Sequence, residues 1–470
     1  MRKRLSLLLA ACLLAATPAA HAYSVLTHEQ LIDLTWDSSI VPLLRSRYPT
    51  LTAAQLQEAR AYAYGGCVIQ DIGYYPFGDE FFSDLTHYVR SGDFVVNLFR
   101  NAGNADELAF AVGALSHYVG DTVGHSEATN RSVPVEFPKL RALYGDSVNY
   151  AQGPSQHVRT EFAFDVNEIA HHRFAPVHYL RQIGLQVPTK QLALAFYQTY
   201  GLGEDFTQRR GRRINVSGYR FSVRSFLPRI AYAVTLLHRH KEPADVQDAD
   251  FQRMERELQQ VATNNHWDDY RKKAGIGTYC LAGLLYILPK VGPIKFVSVK
   301  GPTDQTEVEY VKSVIRATDA LNRTLHRFTP PPTTVPSAAT AAAADTHSTL
   351  PASMFRSLAP PQAQRDPNHP LANRDLDTGN VVQPAGYPLT DQTYARLLHR
   401  LTAMPNEPVP PGVKTEILNY FSNTSLAYSV KHKPQEWATV QKDLVTLQGM
   451  PTRDADKLFE TYGDDNDRDN

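Results

Sequence analysis

Cysteine is scarce in this 470-residue chain: three residues, Cys12, Cys67 and Cys280. That is too few for a disulfide scaffold, so the fold must rest on a buried core. A net charge is missing too, with 48 basic against 48 acidic residues. The balance argues against a dedicated nucleic-acid binder, which carries a basic surplus. Beyond the first residues no uncharged apolar run is long enough to span a bilayer. The best candidate, Cys280 to Leu288, is stopped by Pro289 and Lys290, so no transmembrane segment is expected. The HExxH, GxSxG and P-loop patterns are absent as well, which removes common hydrolase and nucleotide-binding signatures.

What is present is a globular composition, 43% hydrophobic and 10% aromatic, with an N-terminal leader. Arg2, Lys3 and Arg4 precede an apolar stretch from Leu5 to Ala16, and Ala20-His21-Ala22 is a small-x-small cleavage site. This reads as a signal peptide over 1–22, cut between Ala22 and Tyr23, and implies a secreted or periplasmic protein. Removing three of the 48 basic residues leaves 45 against 48 acids, a net charge of −3. The two remaining cysteines, Cys67 and Cys280, leave open one disulfide or two thiols.

Helical signals dominate 23–328. Thr52 with Gln55 is a capping-box pair, and Gly65-Gly66 supplies a stop. Asn104 with Glu107 opens a second helix, whose run from Leu108 to Leu115 is apolar on every face. Such a helix belongs at the centre of a domain. Further helices are expected over 155–171, 189–200, 222–240, 246–264 and 306–327, with Lys295 to Lys300 the clearest alternating stretch. Fifteen of the 31 prolines fall between 329 and 411. Residues 329–372, Pro- and Ala-rich, therefore read as a linker. Residues 373–470 read as a small helical unit with an acidic tail. The predicted fold class is all-α: a compact domain over 23–328, the linker, and that C-terminal unit.

Chemistry concentrates in the histidines. Half of the sixteen outside the leader lie within 23–178. His117, Asp121 and His125 stand at i, i+4 and i+8 on the central helix and share one face. Two imidazoles and a carboxylate on an apolar helix are costly to bury without a partner, and a divalent cation satisfies all three. His157 and Glu161 repeat the spacing on the next helix. Nitrogen and oxygen ligands without thiolate suit zinc. His171 and His172 are read as non-ligands.

In this ordered set the chain resembles the secreted zinc-dependent phospholipase C family, which shares an all-α fold with the fungal zinc single-strand nucleases. The resemblance covers roughly 23–240 and implies three Zn2+ ions. Tyr23, through its amino group and carbonyl, and His28 would hold one. Asp71, His87, His117 and Asp121 would hold a second, with Asp121 reaching the first. His125, His157 and Glu161 would hold the third. Tyr23 stands where the family typically has Trp. The His-x3-Glu pair matches the phospholipases, whereas the nucleases typically have His-x3-Asp. The implied reaction is phosphodiester hydrolysis through zinc-bound hydroxide, with Asp71 doubling as ligand and base. The implied partner is a phosphatidylcholine-type lipid at a membrane surface, with no nucleic acid in the leading reading. The alternatives are a zinc nuclease or nucleotidase, and a non-enzymatic zinc-stabilised lipid-binding protein.

Two further segments invite a reading. Tyr74, Tyr75, Phe77 and Asp79 lie between two expected ligands, and an aromatic loop there suits a choline head group by cation–π attraction. Thr278 to Val299 is apolar and broken by Pro and Gly; a buried core hairpin and a lipid-touching segment are its two readings.

Overall fold

The structure is a computed structural model. It describes residues 24–75, 78–204, 206, 216–238, 248–271, 275–287, 301–328 and 371–454. The leader, Tyr23, Phe77, the alternating stretch at 295–300 and most of the expected linker lie outside the described residues. The protein is helical, with no strand among the described residues; isolated bridges join Arg374 to Val381 and Val409 to Thr452.

The helices that position the site are α1 (Val25–Thr35), α2 (Ala53–Gly66), α3 (Glu80–Tyr88), α4 (Ser91–Arg100), α5 (Ala105–Gly124) and α6 (Pro154–Ala170). Later in the chain come α7 (Ile276–Ile287), α8 (Asp304–Phe328), α9 (Pro388–Thr402), α10 (Pro411–Tyr420) and α11 (Pro434–Gly449). Both expected caps form. Thr52 and Gln55 close a reciprocal capping box on α2, and the Asn104 side chain accepts from the Asp106 and Glu107 amides. Each satisfies amide groups that a helix start leaves without intrahelical partners.

Helix α5 is the axis of the molecule. From Leu108 to Asp121 it is buried on all sides. It crosses α2 at Gly66 and Gly113, and the approach leaves no room for a side chain. A Cβ on Gly113 would lie 2.2 Å from the Ala63 carbonyl oxygen, and one on Gly66 would lie 2.1 Å from that of Phe110. After Gly124 the chain widens into a π-helical turn, His125–Thr129.

The C-terminal helices make their own aromatic stack, Tyr394 on Tyr420 at 3.8 Å and Tyr428 on Trp437 at 5.7 Å. Leu371, Leu376 and Leu397 nonetheless join the same continuous core as α5. Cys67 is buried and Cys280 exposed, and both are free thiols. The described part of the expected hairpin is instead helix α7, which buries Ala282 and Leu285 in the core and leaves Ile276, Tyr279, Leu284 and Tyr286 exposed. No helix among the described residues is long and apolar enough to cross a membrane.

Candidate metal centre

Three elements approach α5 and bring their polar groups to one face of it. The first turn of α1 carries His28, which stacks on His117 with ring centroids 4.2 Å apart. The turn Gln70–Tyr74, immediately after α2, carries Asp71. The last turn of α3 carries His87. Helix α5 itself supplies His117 and Asp121, the π turn supplies His125, and α6 supplies His157 and Glu161. All eight side chains are buried, none more than 2% exposed. They fall into three contiguous groups: His28, His117 and Asp121; Asp71, His87 and His117; His125, His157 and Glu161.

Most of the closest separations among these side chains are similar, although His117 Nε2 stands farther from Asp71 Oδ1, at 3.9 Å. His28 Nε2 is 3.2 Å from Asp121 Oδ1, and His117 Nε2 is 3.1 Å from Asp121 Oδ2. His87 Nε2 is 3.3 Å from both Asp71 Oδ1 and Asp121 Oδ2. With bonds of about 2.0–2.1 Å, the ligand atoms of a tetrahedral zinc site stand about 3.3 Å apart. The spacings are compatible with such a site.

Tautomers strengthen the fit. His87 Nδ1 is 2.8 Å from the Ser83 carbonyl, and His117 Nδ1 is 3.0 Å from that of Cys67. A carbonyl only accepts, so both Nδ1 atoms are donors and each neutral ring turns an Nε2 lone pair inward. Those two Nε2 atoms are 3.4 Å apart and face carboxylates. Lone pairs and carboxylates repel unless a proton or a metal cation lies between them. Burial lowers the pKa of His87, but Asp121 and Asp71 overcome that and hold it well above its ordinary value. Burial would likewise raise Asp121, and His117, His28 and His87 drive it well below the usual carboxylate range instead. The site is thus built for positive charge at its centre.

The third group differs. Burial pushes His125 well down and His157 to about 3, so both rings stay neutral. Burial, followed by Asp121 and Asp377, holds Glu161 well above its ordinary value. His157 Nδ1 is 3.0 Å from Glu161 Oε1, while its Nε2 is 2.8 Å from Asn130 Oδ1. His125 makes no hydrogen bond at either ring nitrogen among the described residues. A buried imidazole without a hydrogen bond is uncommon and asks for another ligand. The donor set of this group, two neutral imidazoles and a carboxylate, fits zinc.

Residues 27–203 match the family model described as zinc dependent phospholipase C. This segment is a zinc-dependent phospholipase C domain. No curated protein and no solved structure matches the chain. The family's general activity, hydrolysis of a phosphodiester with zinc, accords with the oxygen and nitrogen donors that the domain collects.

Of the remaining residues singled out in the sequence, Tyr74 and Tyr75 are buried. Tyr74 lies beside His87, ring centroids 5.4 Å apart, and donates its hydroxyl to Asp84 at 3.2 Å. Tyr75 turns into the core and stacks on Tyr219. Asp79 accepts the Phe81 amide and caps α3. One group was not legible from spacing at all. Asp377 lies beyond the expected linker, yet its Oδ1 is 3.5 Å from His125 Nε2. No motif or periodicity joins it to the central helix.

Proposed function

We propose that this protein is a secreted or periplasmic zinc-dependent phospholipase C, which cleaves phosphatidylcholine-type lipids to diacylglycerol and a phosphorylated head group. The observation that carries the reading is the contiguous set of eight buried ligand-type side chains at ligand-to-ligand distances, inside a segment that matches the family. In this reading His28, with the amino group and carbonyl of Tyr23, holds the first of three zinc ions. Asp71, His87, His117 and Asp121 hold the second, and His125, His157 and Glu161 hold the third. Bound zinc supplies Lewis acidity toward the phosphoryl oxygens and lowers the pKa of water to about 7.

The chain's own residues do the rest. His87 and His117 are oriented by the Ser83 and Cys67 carbonyls, so their Nε2 atoms need no reorganisation. Asp71 is the base: its carboxylate takes the proton of the attacking water. Tyr74, at the edge of the His87 ring, faces the head group. Exposed Ile276, Tyr279, Leu284 and Tyr286 on α7 favour a lipid over a nucleic acid, since neighbouring exposed apolar side chains on one helix suit a lipid interface and offer a polyanion no charge to bind.

The test is direct. The chain beginning at Tyr23 is assayed against phosphatidylcholine vesicles and single-stranded DNA, with zinc and after exhaustive chelation. Zinc-dependent release of phosphocholine is expected. Activity that survives chelation overturns the mechanism, and cleavage of DNA in its place moves the protein to the nuclease reading.

A further inference from the structure

Helix α9 is preceded by a loop, residues 371–387, that runs across the zinc-ligand cluster. Its attachments are numerous and specific. The Leu376 amide donates to the His87 carbonyl at 3.1 Å. Ser91 and Arg374 exchange two bonds, Ser91 Oγ to the Arg374 carbonyl at 2.6 Å and the Arg374 amide to Ser91 Oγ at 3.0 Å. Tyr118 of α5 donates to the Ala372 carbonyl at 2.7 Å. The loop lies so close to α4 that a Cβ on Gly92 would stand 2.4 Å from the Ala372 oxygen. The loop is seated in the domain, and Asp377 is at its deepest point, fully buried.

The Asp377 carboxylate is divided between two tasks. Oδ2 accepts from the hydroxyls of Tyr88 at 2.9 Å and Tyr387 at 2.7 Å. Among the described residues Oδ1 has no hydrogen bond; it stands 3.5 Å from His125 Nε2, which has none either. A cation between two such buried atoms would satisfy both, and their separation is close to that of the pairs around α5. Asn130 ties the arrangement together. Its Nδ2 donates to the Asp377 carbonyl at 2.8 Å, and its Oδ1 accepts from His157 Nε2 at 2.8 Å. One amide thus orients both His157 and the Asp377 loop.

We propose that Asp377 is a metal ligand of the third centre, joining His125, His157 and Glu161. The proposal rests on the zinc reading of the site. With Asp377 the centre would have four protein ligands, the number found in closed structural zinc sites, whereas three ligands would leave an open position. Two carboxylates also neutralise a divalent cation, which a buried site without solvent favours. The C-terminal region would then contribute a ligand to the metal site, in competition with a phosphoryl oxygen or water.

The experiment compares the chain beginning at Tyr23 with its Asp377→Asn and Tyr387→Phe variants. Each is loaded with zinc, and ion content and release to a chromogenic chelator are followed; cobalt loading gives the ligand-field spectrum. In D377N one ion per chain is expected to be lost or to leave about 10–100-fold faster, the scale on which even outer partners of a metal site act, with a changed cobalt spectrum. Y387F keeps the carboxylate and removes one of its donors, so the same ion should leave faster by a smaller factor. Stoichiometry, release and spectrum identical to the unsubstituted chain in both variants overturn the proposal alone. An unsubstituted chain that takes up no zinc or cobalt overturns the zinc reading itself.

Discussion

His87 and His117 show how a residue's role is settled by its second nitrogen. Each spends Nδ1 on a backbone carbonyl, which leaves Nε2 aimed at carboxylates that only a cation can reconcile with it. Asn130 does the same for His157. Asn130→Ala should therefore weaken the third centre without touching an expected ligand. A loss of about 10–100-fold in zinc affinity at that centre is expected, read by competition with a chelator, while far-ultraviolet circular dichroism stays unchanged. His117→Ala removes a shared member of two groups. It should abolish zinc-dependent turnover and lower metal content, measured on the purified protein. Unchanged metal content would contradict the assignment of His117.

At the scale of elements, the crossing of α2 and α5 decides whether the site exists. Only glycine at 66 and 113 lets the helices meet closely enough for the Cys67 carbonyl to reach His117. Gly113→Ala places a Cβ 2.2 Å from a backbone oxygen, and overpacking of this kind costs about 1–3 kcal/mol or more. A lower melting temperature and weakened zinc retention should appear together. Helices α3 and α9 are joined by Arg396, 2.5 Å from Asp84. Burial raises the Asp84 pKa to about 6 from 3.8, and Arg396 opposes the rise. A folded pKa above the unfolded one means that stability falls as pH rises from about 4 to 6, and the cost persists above that window. Removing Arg396 takes away the offset only where Asp84 is ionised. Arg396→Ala should thus lower the melting temperature more at pH 8 than at pH 5, and an equal drop at both would show that the pair contributes nothing.

Over the whole molecule, residues 371–387 lie against two of the expected ligands, at the His87 carbonyl and the His125 ring, and movement of that loop is expected to accompany access of a phosphodiester. Holding the loop down should block turnover. The double variant Ser91→Cys, Arg374→Cys places two thiols where side chain and backbone now touch. Its oxidised form should lose activity against phosphatidylcholine, and reduction should restore it. Full activity in the cross-linked form would show that substrate enters by another route. The apolar face of α7 belongs to the same scale. Tyr279→Ser with Leu284→Ser should reduce binding to phosphatidylcholine vesicles in a flotation assay while leaving turnover of a soluble short-chain substrate intact.

Much of this was legible in the residues alone. The all-α class, the caps at Thr52 and Asn104, the apolar central helix and the i, i+4 pairs all depend on spacings of a few residues, which helical geometry converts directly into shared faces. Even the meeting of His28, Asp71 and His87 with α5 was available, through resemblance, because order along the chain carries it. Three things were not. The π turn that places His125 beside α6, the choice between the buried and the exposed reading of α7, and the arrival of Asp377 beside His125 each depend on how distant surfaces pack. Local pattern determines which helices form and which face of each is polar. Where a loop from beyond a Pro-rich linker comes to rest is decided by contacts that no spacing encodes, here a tyrosine pair, one asparagine and a glycine on α4.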